Sequence, residues 1–261
     1  MSIDPLKKAI LITGAAQRIG RAMALDLGKA GYPIAVHYHR SAQDADETVD
    51  AIRAAGGRAH ALCANLEDED DLARLWPRAI ERFGLIGGLI NNASIFLKDD
   101  LDSTTRETWT RHMQINLRAP FVLIQAMAAH LSHQSGEDAT GSIINIIDHR
   151  VWKLNPHFTS YTLSKSALWT LTQTAAQALA PHIRVNAIGP GPVLPSIHQN
   201  AEIFENEASA TPLGHGPKLE EFGQTVRFLL ETPSITGQMI ALDGGQHLAW
   251  RTPDVDAGTG D

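Results

Sequence analysis

Short apolar runs alternate with helical patterns almost from one end of this sequence to the other, and that alternation constrains the fold more than any single motif. Ala9-Ile10-Leu11-Ile12 is followed by a helical pattern from Arg18 to Ala30, and Pro33 to Tyr38 by another through Asp46 to Ala55. Further apolar runs occupy Arg58 to Cys63, Gly87 to Asn91, Ser142 to Ile147, Ile183 to Ala187 and Met239 to Leu242. Strands that are apolar throughout, separated by helices, predict a parallel sheet covered on both faces. Right-handed crossovers then make the sheet doubly wound, here with seven strands in an α/β domain. A chain of 261 residues, 43% of them hydrophobic, supplies enough core for one large domain or two small ones, and no linker, repeat or low-complexity tract divides it. The expected domain runs from 1 to 251, and the Gly- and Asp-rich residues 252–261 read as a flexible tail.

Several classes of function are disfavoured on composition. No apolar run reaches membrane-spanning length, and the first residues are too polar and too few for a signal peptide. A single cysteine, Cys63, rules out an internal disulfide framework and points to a reducing cytoplasm. The net charge of −7 argues against a nucleic-acid partner, while leaving room for a local basic pocket.

The first strand runs directly into Thr13-Gly14-Ala15-Ala16-Gln17-Arg18-Ile19-Gly20, which opens a helix. Glycines there permit a tight turn and a close backbone approach, so the helix N-terminus faces a pyrophosphate. Gly14, Gln17, Arg18 and Ile19 are therefore candidate cofactor-binding residues. The second strand ends in His37-Tyr38-His39-Arg40-Ser41. A carboxylate at this point would hold an adenine ribose 2′-hydroxyl, but none is present, and Arg40 can fork onto phosphate oxygens. NADPH rather than NADH is expected, with His39, Arg40 and Ser41 around its 2′-phosphate. His37 and His39 share a strand face, but no third ligand stands at an intelligible spacing, so no metal is expected. His130 and His133 read as surface residues of a helix end.

Tyr161 and Lys165 stand four apart at the start of an apolar-periodic helix, on one face. A nearby cation favours phenolate, so a phenol whose ordinary pKa is about 10 is expected to exchange its proton nearer neutrality. Asp148 lies thirteen residues before the tyrosine.

Taken together, Thr13-Gly14 with Gly20, Asn91-Asn92-Ala93, Asn116, Tyr161 with Lys165, and Pro190-Gly191 resemble the short-chain dehydrogenases/reductases, over nearly the whole chain from Thr13 to Gly245. That resemblance implies a single-domain Rossmann fold. It places Asn91 and Ala93 beside the cofactor, and Pro190 and Gly191 at the nicotinamide. Lys165 would hold the nicotinamide ribose and lower the tyrosine pKa, and Asn116 would support a water near it. Asn65-Leu66 stands where the family has an Asp-Leu pair at the adenine; an amide oxygen still accepts a hydrogen bond. The stretch 193–214 falls where the family places a substrate lid. Glu202, Glu205 and Glu207 read as the solvated face of a short helix within it. Trp250 and Arg251 suggest reach toward a neighbouring subunit of a homotetramer.

Three departures narrow the resemblance. Arg18 replaces the family's middle glycine, Ser94 follows Asn92-Ala93 where glycine is usual, and Asp148 occupies the catalytic serine position. All three are similar to the pteridine reductases, which include bacterial dihydromonapterin reductases and alternative dihydrofolate reductases. In that branch Phe96 would stack on a pterin, with Arg18, Ser94, Asp148 and Tyr161 around it. An ionised carboxylate accepts hydrogen bonds and cannot donate them. Asp148 therefore suits the amino and ring N–H groups of a pterin better than a ketone oxygen. The expectation is an NADPH-dependent reduction of dihydromonapterin, dihydrobiopterin or dihydrofolate, with Asp148, Tyr161, Lys165 and Asn116 catalytic and Asn92, Ala93 and Ser94 beside the cofactor. A carbonyl or alcohol dehydrogenase, and a non-catalytic NADPH-binding regulator, are the alternatives.

Overall fold

The apolar runs become the strands of one sheet because each is packed from both sides. The computed structural model describes residues 8–196 and 198–250. Strands β1 (Ala9–Ile12), β2 (Ile34–Tyr38), β3 (Ala59–Cys63), β4 (Ile86–Asn91), β5 (Gly141–Ile146), β6 (Ile183–Pro190) and β7 (Met239–Leu242) form a seven-stranded sheet in the order β3-β2-β1-β4-β5-β6-β7. Every neighbouring pair is parallel. Strand β6 runs three residues beyond the expected Ala187, because Ile188 and Pro190 continue the register onto β7.

Side chains alternate across the sheet and both faces are apolar. Ala9 and Leu11 point to one core, packed by Leu72, Leu75 and Trp76 of α3 (Glu69–Phe83), by Leu123 and Met127 of α5 (Ala119–Ser132), and by Ala175 and Ala176 of α6 (Thr159–Leu179). Ile10 and Ile12 point to the other, packed by Met23 and Leu27 of α1 (Arg18–Lys29), Val49 and Ile52 of α2 (Ala42–Ala54), and Phe222, Val226 and Leu229 of α8 (Leu219–Glu231). His130 is half-buried at the rim of the first core, where its ring meets Trp76 edge-on at 6.2 Å, while His133 is exposed as expected.

The chain leaves β1 toward β2 and β3, then returns to lay β4 on the other side of β1. A crevice opens at such a reversal, beyond the carboxyl ends of the two strands, and ligands of open α/β sheets bind there. Helix α4 (Arg106–Met113) passes into α5 through a π-helical turn over Gln114–Arg118, an irregularity that turns Asn116 inward. Within the expected lid, α7 (Ala201–Ser209) is capped by the Asn200 side chain, which accepts from the Ile203 N–H at 2.8 Å. No helix among the described residues is long and apolar enough to cross a membrane. Arg251 and the expected tail lie outside the described residues; Trp250 is exposed.

Candidate active site

The crevice between β1 and β4 is built by backbone. Gly14 has φ +63, and a side chain there would press on Ala93 and Asn92 at 3.1–3.3 Å. At Gly20 a Cβ would run into the Gly14 carbonyl oxygen, so the loop and the first turn of α1 close on each other only with glycine. Asn92 ties the loop to β4: its Nδ2 donates to the carbonyls of Thr13 at 2.8 Å and Gly14 at 3.0 Å. The Thr13 hydroxyl accepts from the N–H groups of Asn92 and Ala93, both at 2.9 Å. Asn92, not Asn91, thus faces the crevice; Asn91 is buried in the sheet and donates to Asn145 at 2.8 Å.

Beneath the loop lies His37, 2% exposed. Its Nδ1 accepts the Gly14 N–H at 3.0 Å, so Nε2 carries the proton and donates to the Ala64 carbonyl at 3.1 Å. Burial pushes this imidazole down to about 4 and keeps it neutral. The strand ends at Tyr38, leaving His39 exposed and the two histidines in different surroundings.

Arg18 has φ +52, in the left-handed region where glycine is at ease, which explains why a glycine is usual here. An arginine holds that conformation at roughly 1–2 kcal/mol. In return its guanidinium donates to the Leu194 and Pro195 carbonyls at 3.3 and 3.1 Å, tying the loop to the start of the lid stretch. Gln17, the α1 N-cap residue, makes no capping bond and instead donates to Asp44 at 2.7 Å.

This cleft, about 380 Å³, is lined by Gly14, Gln17, Arg18, Ile19, Asn92, Ser94, Phe96, Asp148, Tyr161, Lys165, Pro190 and Gly191 among others. Its floor is a helix N-terminus without a side-chain cap, and it is crowded where a Cβ would intrude. Both features fit the pyrophosphate of a dinucleotide. His39, Arg40, Ser41, Asn65 and Leu66 lie off this cleft, at the ends of β2 and β3. Arg40 is exposed with no ion pair to a described residue, and Ser41 begins α2 without a side-chain cap, so both are free to meet an anion. Asn65 spends its oxygen on the Glu67 N–H at 3.1 Å, and Leu66 packs into the core.

The residues expected to be catalytic gather at the inner end. Tyr161 donates its hydroxyl to Asp148 Oδ2 at 2.9 Å. Asp148 Oδ1 accepts the Arg150 backbone N–H at 2.9 Å and lies 3.2 Å from His149 Nδ1, which also faces the Pro190 carbonyl at 3.1 Å. Burial pushes the Asp148 carboxyl up, but His149, Arg150 and that backbone N–H together outweigh it and hold the carboxyl below its ordinary value. His149 is pushed down by burial yet held above its ordinary value by the same carboxylate. The Tyr161 phenol goes the opposite way from the sequence expectation. Burial first, and then the charge and hydrogen bond of Asp148, raise it well above 10. Lys165 does not offset this. Its Nζ lies 5.7 Å from the tyrosine ring centre and donates to the Ile146 carbonyl at 2.8 Å, and burial lowers it to about 8.

Asn116 commits its whole amide to protein. It donates to the Ile95 carbonyl at 3.1 Å and Ser164 Oγ at 3.0 Å, and it accepts from the Ile95 N–H at 3.0 Å and Ser94 Oγ at 3.1 Å. It thereby joins the loop after β4 to the helix carrying Tyr161. Sequence reasoning missed a second such tie. Asp99 accepts from the N–H and hydroxyl of Ser160 at the start of α6; Ser160 Oγ meets His112 Nδ1 at 2.6 Å; and His112 Nε2 accepts the Leu97 N–H at 3.1 Å. These residues come from three segments, so no spacing announces them.

Beyond Asp148 and Tyr161 opens a second hollow of about 410 Å³, reaching the lid. Phe96 lines both hollows, and its ring stacks on Phe158 at 4.1 Å with 13° between planes. Phe158, at φ +57, is a wall residue the sequence did not single out. Glu202 and Glu205 are solvent-exposed as expected, but Glu207 turns into this hollow and accepts from Gln199 at 2.6 Å and Gln246 at 3.1 Å.

Known proteins match over nearly the same length. The family model described as enoyl-(acyl carrier protein) reductase, of the short-chain dehydrogenase type, matches residues 14–247. The 3-oxoacyl-(acyl-carrier-protein) reductase FabG of Staphylococcus aureus is 31% identical over 248 residues, 93% of this chain and 99% of that protein. The crystal structure of FolM alternative dihydrofolate reductase 1 from Brucella suis in complex with NADP superposes with a TM-score of 0.90 at 50% identity, over 95% of this chain and 98% of that one. The angucycline C-6 ketoreductase LanV with bound NADP gives 0.84 at 31% identity, over 93% and 96%. Matches that span the chain from glycine loop to last strand, and a tyrosine–lysine pair buried at the inner end of the crevice, place this protein in the short-chain dehydrogenase/reductase family.

Proposed function

We propose that this protein uses NADPH to reduce a dihydropteridine, such as dihydromonapterin, dihydrobiopterin or dihydrofolate, to its tetrahydro form. The observation that carries the reading is the carboxylate of Asp148, 17% exposed, ionised, and accepting the Tyr161 hydroxyl where the two hollows meet. Such a carboxylate attracts N–H donors and repels a carbonyl oxygen. An amino-pteridine offers those donors, and Phe96 offers a ring beside them. The cofactor supplies the hydride. Arg40 and Ser41, free at the end of β2, suit its 2′-phosphate; the glycine loop suits its pyrophosphate.

The residues of the chain hold and move the proton. Tyr161 stays a neutral phenol, so it stands ready as a donor rather than as a base. A pteridine N–H that takes over Asp148 Oδ2 frees the tyrosine hydroxyl to turn toward the ring nitrogen that is to be protonated. Lys165 is held by the Ile146 carbonyl 5.7 Å from the tyrosine ring centre, and the cation that favours the phenolate left behind is Arg150.

Likeness to FolM, a dihydrofolate reductase by its name, supports this reading. Likeness to FabG and LanV favours a second one, a carbonyl reductase in which Asp148 has no role with substrate. The proposal includes a homotetramer, for which Trp109 of α4 and Phe121 of α5, both exposed along one groove, offer an apolar face. The test is NADPH oxidation with the three dihydropteridines beside a panel of simple ketones. Turnover of the pteridines, lost about a hundredfold or more in Tyr161→Phe, is expected; turnover of ketones alone rejects the reading.

A further inference from the structure

The wall beyond Asp148 and Tyr161 carries a cation whose N–H donors the proposed chemistry leaves unused. Arg150 sits in the short turn His149–Val151, two residues after Asp148, with its side chain 16% exposed. Its guanidinium carbon lies 5.2 Å over the Phe158 ring and 5.7 Å over the Phe96 ring. Aromatic faces attract a cation but offer no lone pair to its N–H groups. The nearest carboxylate among the described residues is Asp148, whose Oδ1 is 3.9 Å from Nε, beyond hydrogen-bonding distance. That oxygen takes the Arg150 backbone N–H instead. A largely buried guanidinium is thus held in place by packing while its donors face the hollow without an acceptor from the described residues.

Position decides what it would meet. Asp148 turns Oδ2 to Tyr161 and Oδ1 to His149 and Arg150, so Arg150 stands on the far side of the carboxylate from the reacting hydroxyl. It lines the outer hollow and not the cofactor cleft. Farther out the same hollow has Lys98, His157 and His198, against one further acid, Glu207, whose oxygens are already engaged by two glutamines. In a chain of net charge −7 this wall is locally basic.

We infer that Arg150 anchors a carboxylate on the side chain of the substrate, which makes a pteridine with a p-aminobenzoylglutamate tail, of the folate type, a better substrate than one with a hydroxylated tail. The inference rests on the pteridine-reductase reading. Arginine takes a carboxylate in a two-pronged, charge-assisted pair, and a guanidinium already fixed on two phenyl rings loses little freedom in doing so.

The experiment is steady-state kinetics at saturating NADPH with dihydrofolate and dihydrobiopterin, comparing the native protein with Arg150→Met and Arg150→Lys. Arg150→Met should raise KM for dihydrofolate about tenfold more than KM for dihydrobiopterin, the scale of one charge-assisted pair. Arg150→Lys, which keeps the charge, should recover part of that difference. p-Aminobenzoylglutamate, which carries the tail without the ring, should inhibit dihydrobiopterin reduction by the native protein and lose that inhibition in Arg150→Met. Equal changes in both KM values, or inhibition by the fragment that survives in Arg150→Met, overturn the anchor and leave the pteridine reading standing. No turnover of either pteridine by the native protein overturns both.

Discussion

Protonation of His37 should loosen the glycine loop, and the effect is large enough to measure. The imidazole accepts from Gly14 on one side and donates to Ala64 on the other, an arrangement open only to the neutral ring. In the unfolded chain the ring takes its proton near 6.5, whereas in the fold burial holds it to about 4. Because the folded value is the lower one, the contribution to stability is present above pH 6.5 and is withdrawn as pH falls toward 4. Linkage gives a loss of about 2 kcal/mol by pH 5 and about 3 kcal/mol in full. The assay is urea unfolding at pH 7 and pH 5 for the native protein and for His37→Gln. Glutamine neither titrates nor reproduces both bonds, so the variant is less stable at pH 7 but loses about 2 kcal/mol less on going to pH 5. Taking the difference between the two proteins removes the carboxylates that titrate in both. NADPH affinity should follow the same trend, since Gly14 belongs to the loop proposed to hold its pyrophosphate. A parallel decline in the two proteins would refute the neutral bridge.

Other substitutions test separate parts of the site. Gly20→Ala should cost about 1–3 kcal/mol of stability by forcing its methyl on the Gly14 carbonyl, and should abolish NADPH binding measured by fluorescence enhancement. Arg40→Glu should lower kcat/KM for NADPH and raise the relative efficiency with NADH; an unchanged ratio would free Arg40 of any role at the 2′-phosphate. Asp148→Ser should cut pteridine turnover a hundredfold or more while returning the Tyr161 phenol toward its ordinary range, read by ultraviolet titration of tyrosinate. With Lys165 lowered to about 8, kcat/KM should decline above that pH as the ammonium is lost, and a profile flat to pH 9 would contradict it.

How much of this was legible in the sequence follows from what each feature depends on. The sheet was readable because parallel strands buried on both faces must be apolar along their whole length. The cofactor loop was readable because strand, glycine turn and helix are consecutive. Arg150 and Phe158 were not, since a three-residue turn and one left-handed backbone conformation bring them together across an otherwise irregular stretch. His37 was legible only as one of two histidines on a strand. Its partners, Gly14 and Ala64, lie 23 and 27 residues away. Asn91 and Asn92 were adjacent amides with the same chemistry, and only the end of β4 separates the buried one from the one on the crevice.

The tyrosine illustrates why spacing alone misleads about charge. Four residues on a helix put Lys165 on the same face as Tyr161, and from that alone the phenol pKa should fall. In the fold the phenol is buried, the ammonium turns to a backbone carbonyl, and a carboxylate sits 2.9 Å from the hydroxyl, so burial first and then the nearer charge raise the pKa. This outcome bears on substrate choice. A ketone reaching for the Tyr161 hydroxyl must break its bond to Asp148 and leave that carboxylate without the donor, at a cost of roughly 1.5–3 kcal/mol for a charged hydrogen bond. A pteridine replaces the lost donor with one of its own, so the exchange is nearly even. It also takes away the bond by which Asp148 adds to the rise of the phenol pKa, while burial and the charge of the carboxylate remain. A substrate rich in N–H groups therefore frees the hydroxyl of its own proton donor by the act of binding, and one that only accepts hydrogen bonds does not.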